Sequence, residues 1–190
     1  TVPPLHMVER GTGGEDCGKR KPGGEDESFE NRILVKIDAP AILRRTLDPT
    51  RIDGAPIVIG TATDPYQPAE RRFRITRGLL ESLLPHRGLH LGIITKSPLI
   101  LRDRDLLVQL AERHELSINI SLASADATLL RRLEARSPAP HARLRALKGL
   151  TDAGLHAGLL IAPILPGISD SREQLARLHA RGIQPDFCAG

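Results

Sequence analysis

The segment IVIGTATDPYQPAE, residues 57–70, is the stretch from which the fold can be argued. It begins as an apolar strand and turns within a few residues into a polar loop that contains Thr61, Thr63 and Asp64. In α/β proteins the loops that follow the carboxyl ends of buried parallel strands carry the ligand-binding residues. These three residues are therefore candidates for a site. The alternative for Asp64 is a local role, because an aspartate before a proline often caps its own turn.

The same pattern recurs along the chain on both sides of this segment. Strands are predicted at 33–37, 55–60, 89–95, 116–122 and 157–165, with the start of another at 183–187. Helices are predicted between them, at 40–47, 77–84, 103–114, 127–134, 140–154 and 170–182. Pro40 favours a first helical turn, Thr76 is a candidate N-cap, and Gly154 is a candidate C-terminal stop.

This alternation predicts right-handed crossovers and a parallel sheet, hence the α/β class. The sheet could be open and doubly wound or part of a barrel, and about five strands are fewer than a closed eight-stranded barrel needs. Residues 1–31 are rich in glycine and charged residues, and this composition predicts an irregular or disordered leader. Residues 32–190 then form the structured domain.

Composition narrows the function classes. A net charge of +4 and only 2% aromatic residues argue against a nucleic-acid surface. With neither a long apolar run nor a signal-peptide pattern, no membrane contact is predicted, and a cytoplasmic protein is expected. Cys17 and Cys188 lie at opposite ends of the chain and predict neither a disulfide framework nor a zinc site.

Other candidate residues follow the later strands. Lys96 ends the strand at 89–95, where a lysine binds a carboxylate as a point charge or, if desolvated, acts as a Schiff-base nucleophile. Ser121 ends the next strand, where it contacts a ligand or bonds locally. Glu134 and Arg143 flank a Ser-Pro-Ala-Pro break, so they form an ion pair across it or Arg143 reaches a ligand.

The last strand runs into PILPGISD, a stiff turn whose prolines and glycine bring backbone close to a flat or bulky group or simply make a tight connection. The histidines show no metal-ligand spacing, so no metal-binding residues are predicted. The sequence contains no Gly-x-Gly-x-x-Gly, P-loop or Gly-x-Ser-x-Gly motif, which argues against nucleotide-phosphate cradles and serine hydrolases.

Five segments taken in order resemble a known family. They are ILVKIDAPAILRRTL, IGTATDPYQPAERRFRITRGLLESL, ITKSPLILRDRDLL, SLASADATLLRRLEARSPAPHARLRALKGLTDAG and LIAPILPGISD. Together they resemble the radical S-adenosylmethionine (radical SAM) proteins related to spore photoproduct lyase, especially their actinobacterial-type branch, over about residues 32–182. The resemblance implies a partial (βα)6 barrel, incomplete at both ends. It also implies reductive cleavage of S-adenosylmethionine at a [4Fe-4S] cluster, which gives a 5′-deoxyadenosyl radical.

The resemblance also implies roles for individual residues. It implies cofactor contacts by the residues that match the family's strand-end positions: Thr63, Asp64, Lys96, Ser121 and Arg143. Lys96 would meet the cofactor's carboxylate. The turn framed by Pro163, Pro166 and Gly167 would lie behind its adenine.

This chain departs from the family at the cluster. Such enzymes hold the cluster through Cys-x-x-x-Cys-x-x-Cys, which is absent here, and Cys17 alone cannot replace three thiolates. Thr61 stands where photoproduct lyases place a hydrogen-donating cysteine. We therefore expect a fragment or damaged copy that is inactive as it stands. Two alternatives stay open: a non-catalytic S-adenosylmethionine-binding domain, and a Schiff-base lyase or aldolase that uses Lys96.

Overall fold

The computed structural model describes residues 6–9, 32–52 and 54–179. Within them the strands are β1 (His6–Glu9), β2 (Arg32–Val35), β3 (Ile57–Ile59), β4 (His90–Thr95), β5 (Glu115–Ser121) and β6 (Ala157–Leu160). The α-helices are α1 (Ala39–Thr46), α2 (Pro49–Ile52), α3 (Glu70–Phe73), α4 (Ile75–Leu83), α5 (Arg104–Ala111), α6 (Ala127–Leu133), α7 (Pro140–Thr151) and α8 (Arg172–His179). A 3-10 helix, Pro98–Asp103, leads into α5.

The main sheet has four parallel strands in the order β3-β4-β5-β6, which confirms the α/β class. Its register pairs Ile59 with Ile93, and Ile93 with Ile118. The strand predicted at 33–37 forms β2, which pairs in parallel with β1 in a separate two-stranded sheet. The predicted irregular leader thus contains strand β1, while the rest of residues 1–31, the strand predicted at 183–187 and both cysteines lie outside the described residues.

The two faces of the main sheet differ in burial. One face is almost completely buried, and the leucines of α4, α5 and α7 pack against it; it carries Leu91, Ile93, Leu116, Ile118 and Ile120. Side chains of the opposite face are small, polar or partly exposed, as at Val58, Gly92, Ile94, Ser117 and Asn119. The helices that build the core therefore cover one face of a sheet whose strands follow in chain order.

Several element boundaries differ from the sequence expectations. Thr76 does not cap α4, because the helix begins at Ile75 and the N-cap position is held by Arg74 in a left-handed conformation (φ 51°). Strand β6 ends at Leu160 rather than at residue 165, and the Ala162–Pro163 peptide bond beyond it is cis. The predicted stop at Gly154 agrees with its φ of 78°, three residues after α7 ends.

Gly60 sets the direction of the chain as it leaves β3. Its φ is 106°, and a Cβ at this position would overlap the carbonyl oxygen of Ile94. Only glycine tolerates both the conformation and the contact. The loop that starts at residue 61 is thereby held close to the carboxyl end of β4.

No helix among the described residues combines the length and the apolar character that a membrane crossing requires.

Candidate functional site

Asp64 joins the loop after β3 to the end of β4. Its Oδ1 accepts hydrogen bonds from Tyr66 N (2.8 Å) and Thr95 Oγ1 (2.7 Å), and its Oδ2 accepts one from Lys96 N (2.7 Å). The bond from Tyr66 N is the local turn cap that the Asp-Pro sequence allows, so that alternative is confirmed. The two bonds from β4 add a cross-strand role. Contact between Asp64 and a cofactor stays a prediction.

A second set of bonds connects the ends of β4 and β5, and we call Lys96, Glu134 and Arg143 the rim cluster. Lys96 Nζ donates to Glu134 Oε1 at 2.8 Å, and Arg143 Nη2 donates to Glu134 Oε2 at 2.6 Å. Arg143 also donates from Nη1 to the Ser121 carbonyl oxygen (2.8 Å) and from Nε to the Pro138 carbonyl oxygen (2.9 Å). The ion pair across the Ser-Pro-Ala-Pro break is therefore confirmed.

The members of the rim cluster differ sharply in exposure. The Arg143 side chain is 0% exposed and that of Glu134 is 11% exposed, whereas 39% of the Lys96 side chain is exposed. Burial alone would raise the pKa of Glu134, but hydrogen bonds from Lys96 and Arg143 outweigh it and hold the pKa below its usual range. Glu134 is ionised at neutral pH, so one carboxylate faces two cations. The excess positive charge lies on Lys96, the member that faces solvent.

The remaining predicted residues of these strands occupy different positions around the cluster. Ser121 is 6% exposed, and its carbonyl oxygen is the group that Arg143 binds. Thr61 and Thr63 are exposed in the loop that Asp64 closes. A contact between Arg143 and a ligand would require the side chain to leave its buried position. The structure places it beneath the rim as a support for Glu134.

The loop after β6 carries the other predicted contacts. Pro163, Pro166 and Gly167 are all exposed. The loop is braced internally, because Leu165 N donates to Ser169 Oγ at 2.9 Å and Gly167 N donates to Asp170 Oδ1 at 2.9 Å. Its large apolar side chains Ile164 and Ile168 are about half exposed, at 51% and 49%. The three framing residues are thus available to a ligand, and their contact with adenine stays a prediction.

Sequence reasoning missed a second polar group, which we call the buried network: Glu70, Arg77, Arg102 and Asp103. Arg102 binds both oxygens of Asp103 (2.9 and 2.7 Å) and Glu70 Oε1 (2.9 Å), while Arg77 Nη1 binds Asp103 Oδ1 (3.0 Å). Asp103 is 0% and Glu70 5% exposed. The sequence signal for this network is the Arg-Asp pair inside the apolar run PLILRDRDLL. Charged residues that are buried with such a run need hydrogen-bonding partners of opposite charge.

Glu70 also determines where α4 begins. Its Oε2 accepts from Thr76 N at 3.0 Å and its Oε1 from Arg77 N at 3.3 Å, so a carboxylate satisfies the free N–H groups of the first helical turn. Thr76 Oγ1 donates to the carbonyl oxygen of Pro65. These contacts of Pro65, Glu70 and Thr76 position the start of α4.

Tyr66 lies beside this network. Its ring is 1% exposed, and within the described part of the chain its hydroxyl has no hydrogen-bond partner of acceptable geometry. Burial raises its pKa above the usual range, and the nearby Asp103 carboxylate adds to the rise. The phenol is therefore neutral and belongs to the core.

The side chains present differ in how well they fit the two cofactors that the resemblance implies. The sequence contains two cysteines, whereas a cluster held in the radical SAM manner needs three, and no group of three potential metal ligands occurs among the described residues. The residues present do not fit a [4Fe-4S] cluster. They do fit an anionic ligand, because Lys96 offers a partly exposed ammonium at the strand ends.

Comparison with known proteins gives relatives without an assigned activity. An uncharacterized protein of Mycobacterium tuberculosis is 36% identical over 150 residues, which make up 79% of this chain and 44% of that protein. An uncharacterized protein of Methanocaldococcus jannaschii is 29% identical over 138 residues, 73% of this chain and 49% of that protein. The chain spans less than half the length of these curated relatives. No family model matches the sequence. No solved structure matches it either.

Proposed function

We propose that this chain is part of a (βα) barrel that binds S-adenosylmethionine, as its resemblance to the spore photoproduct lyase branch of the radical SAM proteins implies. The strand order β3-β4-β5-β6 supports a barrel, because a doubly wound sheet reverses its strand order. The burial pattern agrees, since the core helices cover one face and the other face carries small and polar residues. A partial (βα)6 barrel places that second face inside.

One observation carries the binding proposal: the carboxyl ends of three successive strands are joined through a single hydrogen-bonded chain that exposes one cation. The chain runs from Asp64 through Lys96, Glu134 and Arg143 to Ser121. Arg143 and Lys96 share the single carboxylate of Glu134, so the cluster carries one excess positive charge, and Lys96 is its partly exposed cation. S-adenosylmethionine carries a carboxylate that such an ammonium can bind.

The residues of this chain do not support the reductive cleavage of S-adenosylmethionine that the resemblance also implies. A bound cluster would supply the electron for reductive cleavage, but this chain lacks the three thiolates that would hold it. We therefore propose cofactor binding and derive no radical step. The Schiff-base alternative is less well supported, because a lysine activated for that chemistry is desolvated, whereas Lys96 is 39% exposed and bound to Glu134.

Isothermal titration calorimetry with S-adenosylmethionine and with 5′-methylthioadenosine tests this proposal. Methylthioadenosine keeps the adenosine and sulfur but lacks the amino-acid carboxylate. We expect Lys96→Met to weaken S-adenosylmethionine about tenfold, equivalent to about 1.4 kcal/mol, and to leave methylthioadenosine unchanged. Lys148→Met is the matched control, since Lys148 is an exposed lysine that pairs with Asp152 on α7.

Two results would contradict the proposal. The first is no measurable binding of S-adenosylmethionine by the wild-type chain. The second is equal weakening of both ligands by Lys96→Met, because this would show that Lys96 does not contact the carboxylate. Borohydride trapping of a carbonyl compound on Lys96 would instead favour the Schiff-base alternative.

A further inference from the structure

We infer that Glu134 is a positioning residue that holds Lys96 until a ligand carboxylate takes its place, and that Glu134 thereby determines the affinity of the rim for anionic ligands. The ligand-binding part of this inference depends on the proposed function. The ion pair in the ligand-free chain does not.

The first argument is the difference between the two partners of Glu134. Arg143 has no exposed side-chain surface, so water cannot replace the carboxylate that binds it. Lys96 is 39% exposed, and water can solvate its ammonium when Lys96 leaves Glu134. The bond to Arg143 is therefore the permanent one. The bond to Lys96 is the exchangeable one.

The second argument is the way Glu134 is fixed. It follows the last residue of α6, and its backbone N–H donates to the Leu130 carbonyl oxygen at 2.7 Å. Arg143 itself is fixed by the carbonyl oxygens of Pro138 and Ser121. Glu134 thus stays in place when Lys96 moves. A ligand must compete with a fixed internal carboxylate.

The third argument concerns which ligands can compete. Asp64, the other carboxylate that binds Lys96, already accepts bonds from Tyr66, Thr95 and the backbone of Lys96. An incoming group must therefore bring its own negative charge to pair with the ammonium. A neutral ligand leaves the bond between Lys96 and Glu134 intact. Glu134 therefore selects anionic ligands, such as the carboxylate of S-adenosylmethionine, for this position.

Trace acetylation of the folded protein, followed by peptide mass spectrometry, measures how freely the Lys96 amine reacts without any ligand. In Glu134→Gln, the side-chain oxygen can still accept from Arg143, while the amide group repels Lys96. We expect the Lys96 acetylation rate to rise about two- to fivefold, the range for a partly exposed ion pair. Lys148 in the same sample is the internal control, and Asp152→Asn should raise the rate at Lys148 only.

Glu134→Asp is a second variant that tests the same point if Glu134→Gln does not fold. The shorter carboxylate keeps the charge that the buried Arg143 needs but no longer reaches both cations, so Lys96 should again react faster. Circular dichroism and thermal melting verify the fold of each variant. An unchanged Lys96 rate in both folded variants would overturn the inference, whether or not any ligand binds.

Titration with S-adenosylmethionine completes the test. We expect Glu134→Gln to bind it about two- to fivefold more tightly while being less stable, because a competitor for Lys96 has been removed. A supporting residue without a competing role would lose affinity and stability together, and that result would overturn the inference. If neither the wild type nor the variant binds, the proposed function fails, and the acetylation rates alone decide the role of Glu134.

Discussion

The buried network and the rim cluster both consist of acidic and basic side chains, but they differ in exposure and in how the charges are paired. In the buried network, two arginines are matched by Glu70 and Asp103, and both acids are almost completely buried. In the rim cluster, two cations share one carboxylate, and one cation is exposed. In the first arrangement each arginine has acidic partners of its own, and the two acids that join the arginines are buried. The second keeps a net positive charge at the surface.

The difference shows that a distinctive motif need not be a binding motif. DPYQPAE and PLILRD are among the segments that carry the family resemblance, yet their charged residues Glu70, Arg102 and Asp103 join α4 to the 3-10 helix. Exposure and a carboxylate shared with a second cation, rather than distinctiveness, are the reasons why we propose Lys96 as the ligand-binding residue. Variants in the two clusters should therefore separate stability from binding.

The largest effect is expected for Asp103→Asn in the buried network. The change keeps the side-chain volume but leaves Arg77 and Arg102 without their shared counter-ion. We expect the free energy of unfolding to fall by about 3 kcal/mol, as for other broken buried ion pairs, with the affinity for S-adenosylmethionine unchanged. Urea denaturation measures the first quantity and calorimetry the second.

Asp105→Asn is the control for that variant. Asp105 also binds Arg77, at 3.3 Å, but 61% of its side chain is exposed. Its loss should lower the free energy of unfolding by no more than about 1 kcal/mol. Equal losses for the two variants, or a clear loss of ligand affinity in Asp103→Asn, would contradict the separation of the clusters.

A smaller effect, on both properties, is expected for Arg143→Lys in the rim cluster. Lysine keeps the charge but cannot reproduce the bonds to Ser121, Pro138 and Glu134 together. We expect a loss of about 2 kcal/mol of unfolding free energy. Glu134, held less firmly, should pair more closely with Lys96, and S-adenosylmethionine should bind about two- to fivefold more weakly. An affinity identical to that of the wild type would make Arg143 a purely structural residue.

Much of the fold was predictable because strand and helix periods are local properties. Strands β3, β4 and β5 were predicted within a few residues, since apolar runs bounded by turn residues indicate buried strands. The end of β6 was not predictable. Its apolar run continues to Leu165, but β5 ends at Ser121, which pairs with Leu160, so further residues have no partner in the described sheet.

The start of α4 and much of the site show the same limit. Thr76 satisfied the local rule for an N-cap, but Glu70 binds the helix N-terminus from outside the helix. At the site, Asp64 and Ser121 are connected to the rim cluster through the Lys96 N–H and the Ser121 carbonyl oxygen, and their contact with a ligand stays a prediction. The central place of Glu134 between two cations depends on contacts over 38 and 9 residues, which no local pattern contains.

The smallest expected effect is a pH dependence of the stability that Glu134 contributes to the rim cluster. Because the pKa of Glu134 in the folded chain lies below its ordinary value of 4.5, the unfolded chain binds this proton first as the pH falls. The stability that ionised Glu134 contributes is therefore fully present above about pH 4.5 and is lost below it. Glutamine does not titrate, so the deficit of about 1 kcal/mol expected for Glu134→Gln at pH 7 should shrink as the pH falls from 4.5 towards 3. Urea denaturation of both proteins across this range measures the difference, and a deficit that stays constant down to pH 3 would show that the charge of Glu134 does not stabilise the rim.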